Sequence, residues 1–262
     1  MTRQPRSNSA TGIHHVMLRG INRQIIFEDD EDYRKFLFIM KDMVSPKDEL
    51  GHPLPPRCTF YAYCLMTNHV HLLIQEKSEG LSATVKQIAS RYAMHYNKKY
   101  ERTGSLFQGR FKSEPVNDLN YFLTLIRYIH QNPVAGGLCE QVGTYEWSSW
   151  REYTGVVRRA PAVCSTSSVL KSITMDELDI LVNEPLPKTL RILDFDKKQY
   201  SLSDEEVEEF LSSNYGLKRP GDIQLYIKSR RNEIIKAAKA YGASIRQLSR
   251  LTSISTSIIR NV

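Results

Sequence analysis

In the segment CLMTNHVHLLIQ, His69 and His71 stand one residue apart inside an apolar run. Alternate side chains of a strand share a face, so these two imidazoles project together while Val70, Leu72 and Ile74 project to the other side. At a rise of ~3.3 Å per residue their Cβ atoms lie roughly 7 Å apart, and inward-leaning imidazoles at that spacing can share one divalent ion. The same pair is also compatible with ordinary core or edge histidines. Downstream, YFLTLIRYIHQN puts Tyr121, Leu125, Tyr128 and Asn132 on one helical face. Tyr128 and Asn132, at i and i+4, meet directly. A phenol with a pKa of about 10 attacks a phosphodiester poorly at neutral pH. A metal ion would polarise the phosphate and neutralise developing charge, and the Asn132 oxygen is a candidate third protein ligand. Taken alone, Tyr128 reads as a core aromatic, like its apolar neighbours Phe122, Leu123, Leu125, Ile126 and Ile129.

These residues need elements to hold them. IHHVMLRG predicts a first strand ending at Gly20, and DDEDYRKFLFIMKDMV a helix whose acidic start complements its dipole. CTFYAYCLM and HVHLLIQ, separated by TN, predict a hairpin. Leu81, Val85, Ile88, Tyr92 and Tyr96 recur at helical spacing up to Tyr100, and a Gly-punctuated basic loop, RTGSLFQGRFKSEPV, leads into a short strand. LNYFLTLIRYIHQ predicts a third helix stopped by Pro133, with Gly136 and Gly137 beyond. The order β-α-β-β-α-β-α predicts an α+β, ferredoxin-like split β-α-β core, an antiparallel sheet with helices on one side, followed by one further helix.

The chain has 262 residues and a net charge of +7, enough length for a catalytic-sized domain and an appendage. Net charge favours a polyanionic partner without specifying one. Its distribution says more. Residues 165–217 sum to −6 and residues 218–262 to +8, so an acidic spacer precedes a basic tail. VVRRAPAVCSTSSV predicts a linker. Ser203 and Glu206 predict a capping box, DIQLYIKSRRNEIIKAAKAYG a helix closed by Gly242, and SIRQLSRL and STSIIRN two short helices about the turn TSI. That is a helix-turn-helix pattern suited to duplex DNA, or else a small bundle that only packs on the first domain. The expected divisions are a flexible arm at 1–11, a catalytic domain at 12–155, a linker at 156–170 and an all-α region at 171–262, helix-turn-helix-like from 222 to 262.

Cys58, Cys64, Cys139 and Cys164 form no C-x-x-C pair, which argues against a zinc knuckle or disulfide framework. No leader pattern and no apolar run of about 20 residues is present, so the expectation is a cytoplasmic, nucleoid-associated protein without membrane contact. A small-molecule substrate is not expected.

The blocks HHVMLRGINRQIIF, YCLMTNHVHLLI, GSLFQGRFKS and YIHQNPVAGGL occur in this order. Over residues 12 to about 154 the chain resembles the REP-associated tyrosine transposases of the single-tyrosine HUH superfamily, relatives of the small insertion-sequence transposases. The resemblance implies the HUH nuclease fold, His69, His71 and Asn132 as metal ligands, Tyr128 as nucleophile and Mg2+ or Mn2+ as cofactor. It implies transesterification on single-stranded or hairpin DNA through a 5′-phosphotyrosine, in transposition or repeat dissemination. Tyr121 is the alternative nucleophile and Gln131 the alternative ligand. Arg19, Arg23, Arg110 and Lys112 fall in the shared blocks as candidate DNA contacts, or as an ordinary solvated rim. Phe107 and Phe111 suit packing better than base stacking; His14 and His15 flank the first strand, and His15 could face the sheet surface near the metal, although its position in the resembled family looks structural. Two other functions fit less well. A domesticated DNA-binding regulator has no chemical need for all four site residues. Rolling-circle or conjugative nicking enzymes usually sit in larger chains, often with a helicase, and no G-x-x-x-x-G-K-[ST] stretch is present here.

Overall fold

A computed structural model of the chain describes residues 8–156, 160–186, 192–193, 204–241 and 243–262. The first strand, β1 (Ile13–Arg19), leads through a short turn to α1 (Asp30–Val44). Asp29 caps α1 by accepting from the Glu31 and Asp32 amides, and Asp30, Glu31 and Asp32 crowd its first turn, where the helix dipole favours negative charge. The hairpin β2 (Cys58–Leu65) and β3 (His69–Glu76) follows, then α2 (Gly80–Lys99), β4 (Lys112–Val116) and α3 (Leu119–Ala135).

The four strands lie in the order β2-β3-β1-β4, and each neighbouring pair is antiparallel. This is the expected split β-α-β core: β3 inserts between β1 and β2, and both central strands are apolar enough to be covered on two sides. Val16, Leu18, Val70, Leu72 and Ile74 point into one core with Phe36, Met40, Val85, Ile88 and Tyr92 of α1 and α2. Ala62, Cys64, Leu73 and Val116 point into a second core with Leu125, Ile126, Tyr128 and Ile129 of α3. The sheet is thus sandwiched between the α1/α2 layer and α3.

Contrary to the stop expected at Pro133, α3 runs to Ala135 with Pro133 inside it. A proline so near the C-terminus removes a single backbone hydrogen bond, which the last turn tolerates. The helix is closed instead by Gly136, whose amide donates to Asn132 O at 2.8 Å, and by Gly137 at φ +69°.

Beyond α3 the chain returns along β2. Leu65 N donates to Trp147 O at 2.9 Å and Ser149 N to Tyr63 O at 3.0 Å, leading into α4 (Trp150–Tyr153). Two further helices, α5 (Thr166–Val169) and α6 (Met175–Asn183), place Val169, Leu178 and Val182 in the α3-side core. The chain divides into two compact units, Met1–Asp194 and Phe195–Val262. Within the stretch expected as linker and as the start of the tail, Val169, Leu178 and Val182 therefore pack in the first unit. Leu178 and Val182, four residues apart on α6, supply the apolar stripe that draws it in.

The second unit contains α7 (Asp204–Tyr215), a 3-10 turn at Pro220–Leu225, α8 (Lys228–Tyr241), α9 (Ile245–Thr252) and α10 (Thr256–Arg260). Where one helix was expected from Asp222, the 3-10 turn and α8 are separate, because Tyr226 sits at the break in an extended conformation. Ser203 and Gly242, expected as cap and stop, lie outside the described residues. Ser253, left-handed at φ 58°, turns α9 into α10, and Ser255 caps α10 through Ile258 N. Ile234, Ile235, Ala238, Leu248, Ile254 and Ile259 fill this unit's own core. Among the described residues no helix is long and apolar enough to cross a membrane.

Candidate active site

The β1–β3 register sets Arg19 opposite His69, Met17 opposite His71 and His15 opposite Leu73. Strand alternation then sends His15, His69 and His71 to the face that α3 covers. His71 is fully buried, His69 half-buried, and their ring centroids are 5.0 Å apart. Tyr128 comes down from α3 with its ring edge-on to His71 at 5.5 Å and to His15 at 5.9 Å. One helical turn on, Asn132 donates from Nδ2 to Tyr128 O at 2.8 Å. His69, His71, Tyr128 and Asn132 thus share one side of the sheet, brought there by β3 and α3.

The polar contacts around the histidines are ordered. His69 Nδ1 lies 2.6 Å from Asn68 Oδ1. His71 Nδ1 lies 3.1 Å from His15 Nε2, and His15 Nδ1 lies 2.8 Å from Glu114 Oε1. His71 Nε2 is buried and, among the described residues, has no hydrogen-bond partner. Burial pushes the His71 imidazole well below its ordinary pKa, and neighbouring His15 and His69 push the same way. It is a neutral ring at pH 7. Burial opposes the charge on Glu114, yet its bonds to His15, Tyr121 and the Leu193 amide hold its carboxyl below the usual carboxylate range.

Among the described residues no cluster of three His, Cys, Asp or Glu side chains could hold a metal ion. A ligand set completed by an amide is of another kind. Neutral imidazoles suit divalent transition metals, and a buried ring nitrogen without a partner is a group that a cation would satisfy. The donor chemistry of His69, His71 and the Asn132 carboxamide fits such an ion.

The two alternative residues point elsewhere. Gln131 turns outward and donates from Nε2 to Val182 O at 2.7 Å and Glu184 O at 2.5 Å, away from the histidines. Tyr121 bonds Glu114 through its hydroxyl; burial first, then that carboxylate, pushes its pKa up. Of the basic candidates, Arg19 is buried beside His69 in register, while Arg23, Arg110 and Lys112 are exposed or partly so. Gln108 N donates to Arg19 O at 2.7 Å and Gly20 bridges Phe107, so the basic loop closes on the end of β1. Lys112 stands in the Met17–His71 row, two residues before Glu114 on β4. Phe107 is buried in the α1/α2-side core and Phe111 packs against it, so both are packing residues. His14 faces the opposite side of the sheet, 3.4 Å from Glu76. Glu114 is the site residue that sequence reasoning passed over, and His15, which it read as structural, stands beside Glu114 and His71. The signal was the same alternation that paired His69 with His71, applied to the strands HHVMLR and KSEPV.

Residues 10–132 match the protein family described as "Transposase IS200 like". A solved structure described as "Structure of the REP associates tyrosine transposase bound to a REP hairpin" is similar at a TM-score of 0.47 and 16% identity, over 62% of this chain and 92% of that one. No curated protein matches the chain.

Proposed function

We propose, for a chain whose residues 10–132 match the IS200-like transposase family, that it cuts and rejoins single-stranded DNA through Tyr128. The observation that carries this reading is the Tyr128 ring set against His71 on the sheet face that also holds His69. A core aromatic has no need of a strand carrying two imidazoles on the face it covers.

In the proposed reaction the Tyr128 hydroxyl oxygen attacks a backbone phosphorus and gives up its proton. A bond forms between phosphorus and the phenolic oxygen, and the bond to the 3′ oxygen breaks. The strand's 3′ oxygen leaves and takes up a proton, producing a free 3′-hydroxyl and a 5′-phosphotyrosine. Attack by another 3′-hydroxyl reverses the chemistry and joins strands. Ester is exchanged for ester, so no nucleotide cofactor is consumed. His69, His71 and Asn132 would hold Mg2+ or Mn2+, which supplies charge neutralisation at the phosphate when bound. Asn132 spends its Nδ2 on the helix backbone, which leaves Oδ1 as its ligand atom. The exposed Arg23, Arg110 and Lys112 would grip neighbouring phosphates, giving a salt-dependent affinity, whereas Arg19 is buried beside His69.

The substrate we assign is a hairpin-forming single strand such as a repetitive extragenic palindrome. The four ordered sequence blocks shared with REP-associated tyrosine transposases support that choice. In the second unit, the α9-turn-α10 arrangement and the +8 charge of residues 218–262 support contact with the duplex stem.

The test incubates labelled hairpin oligonucleotides with the protein and Mg2+ or Mn2+ and resolves covalent adducts on a denaturing gel. An adduct with wild type that is absent with Tyr128→Phe and His71→Ala is expected. Hairpin binding without any adduct would favour a DNA-binding protein without turnover.

A further inference from the structure

Behind His71 lies a chain of contacts that the reaction above does not use. Glu114 sits on β4, His15 on β1 and His71 on β3, three adjacent strands, and the contacts run across the sheet at 2.8 Å and 3.1 Å. His15 has no solvent exposure at all, and its ring plane lies 12° from that of His71 with centroids 5.3 Å apart, side by side as an in-plane N–H···N bond requires. We propose that Glu114 and His15 are positioning residues that fix the tautomer of His71, so that His71 Nε2 presents a lone pair to a divalent cation. This rests on the metal-binding reading given above and names what prepares that ligand.

The argument follows the protons. A carboxylate can only accept. Glu114 also receives the Leu193 amide at 3.2 Å and the Tyr121 hydroxyl, which commits its oxygens as acceptors. Facing that acceptor, His15 carries its proton on Nδ1, and in the neutral ring Nε2 is then bare. A bare His15 Nε2 requires the donor of the next bond to be His71 Nδ1–H. In a neutral His71 this leaves Nε2 bare, and Nε2 is the ring atom that is buried without a partner. The opposite proton order would put an N–H on His71 Nε2 and strand a buried donor with no acceptor. A carboxylate and a second imidazole behind the ligand also hold the ring in orientation, the part that groups one step back from a metal commonly perform. His69 takes its partner from the adjacent Asn68, so the two ligands are prepared by separate means.

Two-bond 1H–15N correlation spectra of imidazole-labelled, metal-free protein at pH 7.5 read the tautomers directly, and Mn2+ titration followed by electron paramagnetic resonance reads the affinity. Wild type is expected to show His15 and His71 both as Nδ1–H tautomers, although free histidine favours Nε2–H. In Glu114→Gln the amide can donate towards His15 Nδ1, so His71 should shift towards Nε2–H and Mn2+ should bind about tenfold to a hundredfold more weakly. Glu114→Asp should restore much of both signals, which a merely structural role would not require. A wild-type His71 found as Nε2–H, or a Glu114→Gln protein with unchanged tautomer and Mn2+ affinity, would overturn the proposal. Wild type that shows the Nδ1–H tautomer yet binds no Mn2+ would overturn the metal reading, with the relay upheld by the spectra.

Discussion

Gln131 Nε2 donates to the carbonyl of Val182 at 2.7 Å and ties the helix that carries Tyr128 to the end of α6. Arg127, one turn earlier, adds a bond from Nε to Glu184 O at 2.9 Å and another to Pro185 O. Side-chain bonds of this kind contribute on the order of 1 kcal/mol each. Gln131→Ala should therefore lower stability by about 1 to 2 kcal/mol in urea unfolding while leaving Mn2+ affinity unchanged. A loss of metal binding instead would place Gln131 among the ligands.

That bond also marks where the sequence stops being informative. Tyr128 and Asn132 on one helix, and His69 and His71 on one strand, follow from periods of 3.6 and 2, so their grouping is legible from spacing. The partner of Gln131 is not, because Val182 lies 51 residues away on a helix that the sequence pattern puts beyond a linker. Composition suggests a boundary near residue 156, but Leu178 and Val182 bury their side chains against α3, and burial decides domain membership. The run of α3 past Pro133 is hidden for a similar reason. A proline signals a local loss of one hydrogen bond, while the buried Ile126, Ile129 and Pro133 itself keep the last turn docked.

Stability should fall with acid through His130. This ring is fully buried, with Nδ1 2.8 Å from Ile126 O and Nε2 2.8 Å from Ser149 Oγ, and burial lowers its pKa from 6.5 to about 4 despite the opposing backbone bond. Below pH 6.5 unfolded chains bind a proton that the folded protein refuses. The contribution is thus complete above pH 6.5 and lost as pH drops towards 4, roughly 3 kcal/mol in all. Denaturant midpoints measured across that window should decline, and His130→Gln should flatten the decline by a similar amount. An equally steep profile in the variant would remove His130 as its source.

In the second unit, Arg250, Arg246 on α9 and Arg260 on α10 are all exposed, and Arg250 is paired with Asp204 at 2.7 Å. If α9, the turn and α10 together meet a duplex stem, Arg246→Ala and Arg260→Ala should each weaken hairpin binding. Each should also make the plot of log K against log salt shallower by about 0.9 for every phosphate that is no longer neutralised. Arg250→Ala should act mainly on stability. Unaltered slopes in the first two variants would confine DNA binding to the first unit.

The face between β3 and α3 has a genetic corollary. Tyr128 and His71 reach each other within a single chain, so on the proposed reading each copy would carry a whole cutting centre. Two differently crippled copies have nothing to lend one another. Mixing Tyr128→Phe with His71→Ala protein, or expressing both in one cell, should give no adduct, where an arrangement with exchanged helices would give back a fraction of it. Recovery of activity in the mixture would mean that α3 trades places between chains in solution. On the proposed reading and without such exchange, an inactive allele would be a passive passenger, and dose of the intact gene alone would set the rate of strand transfer.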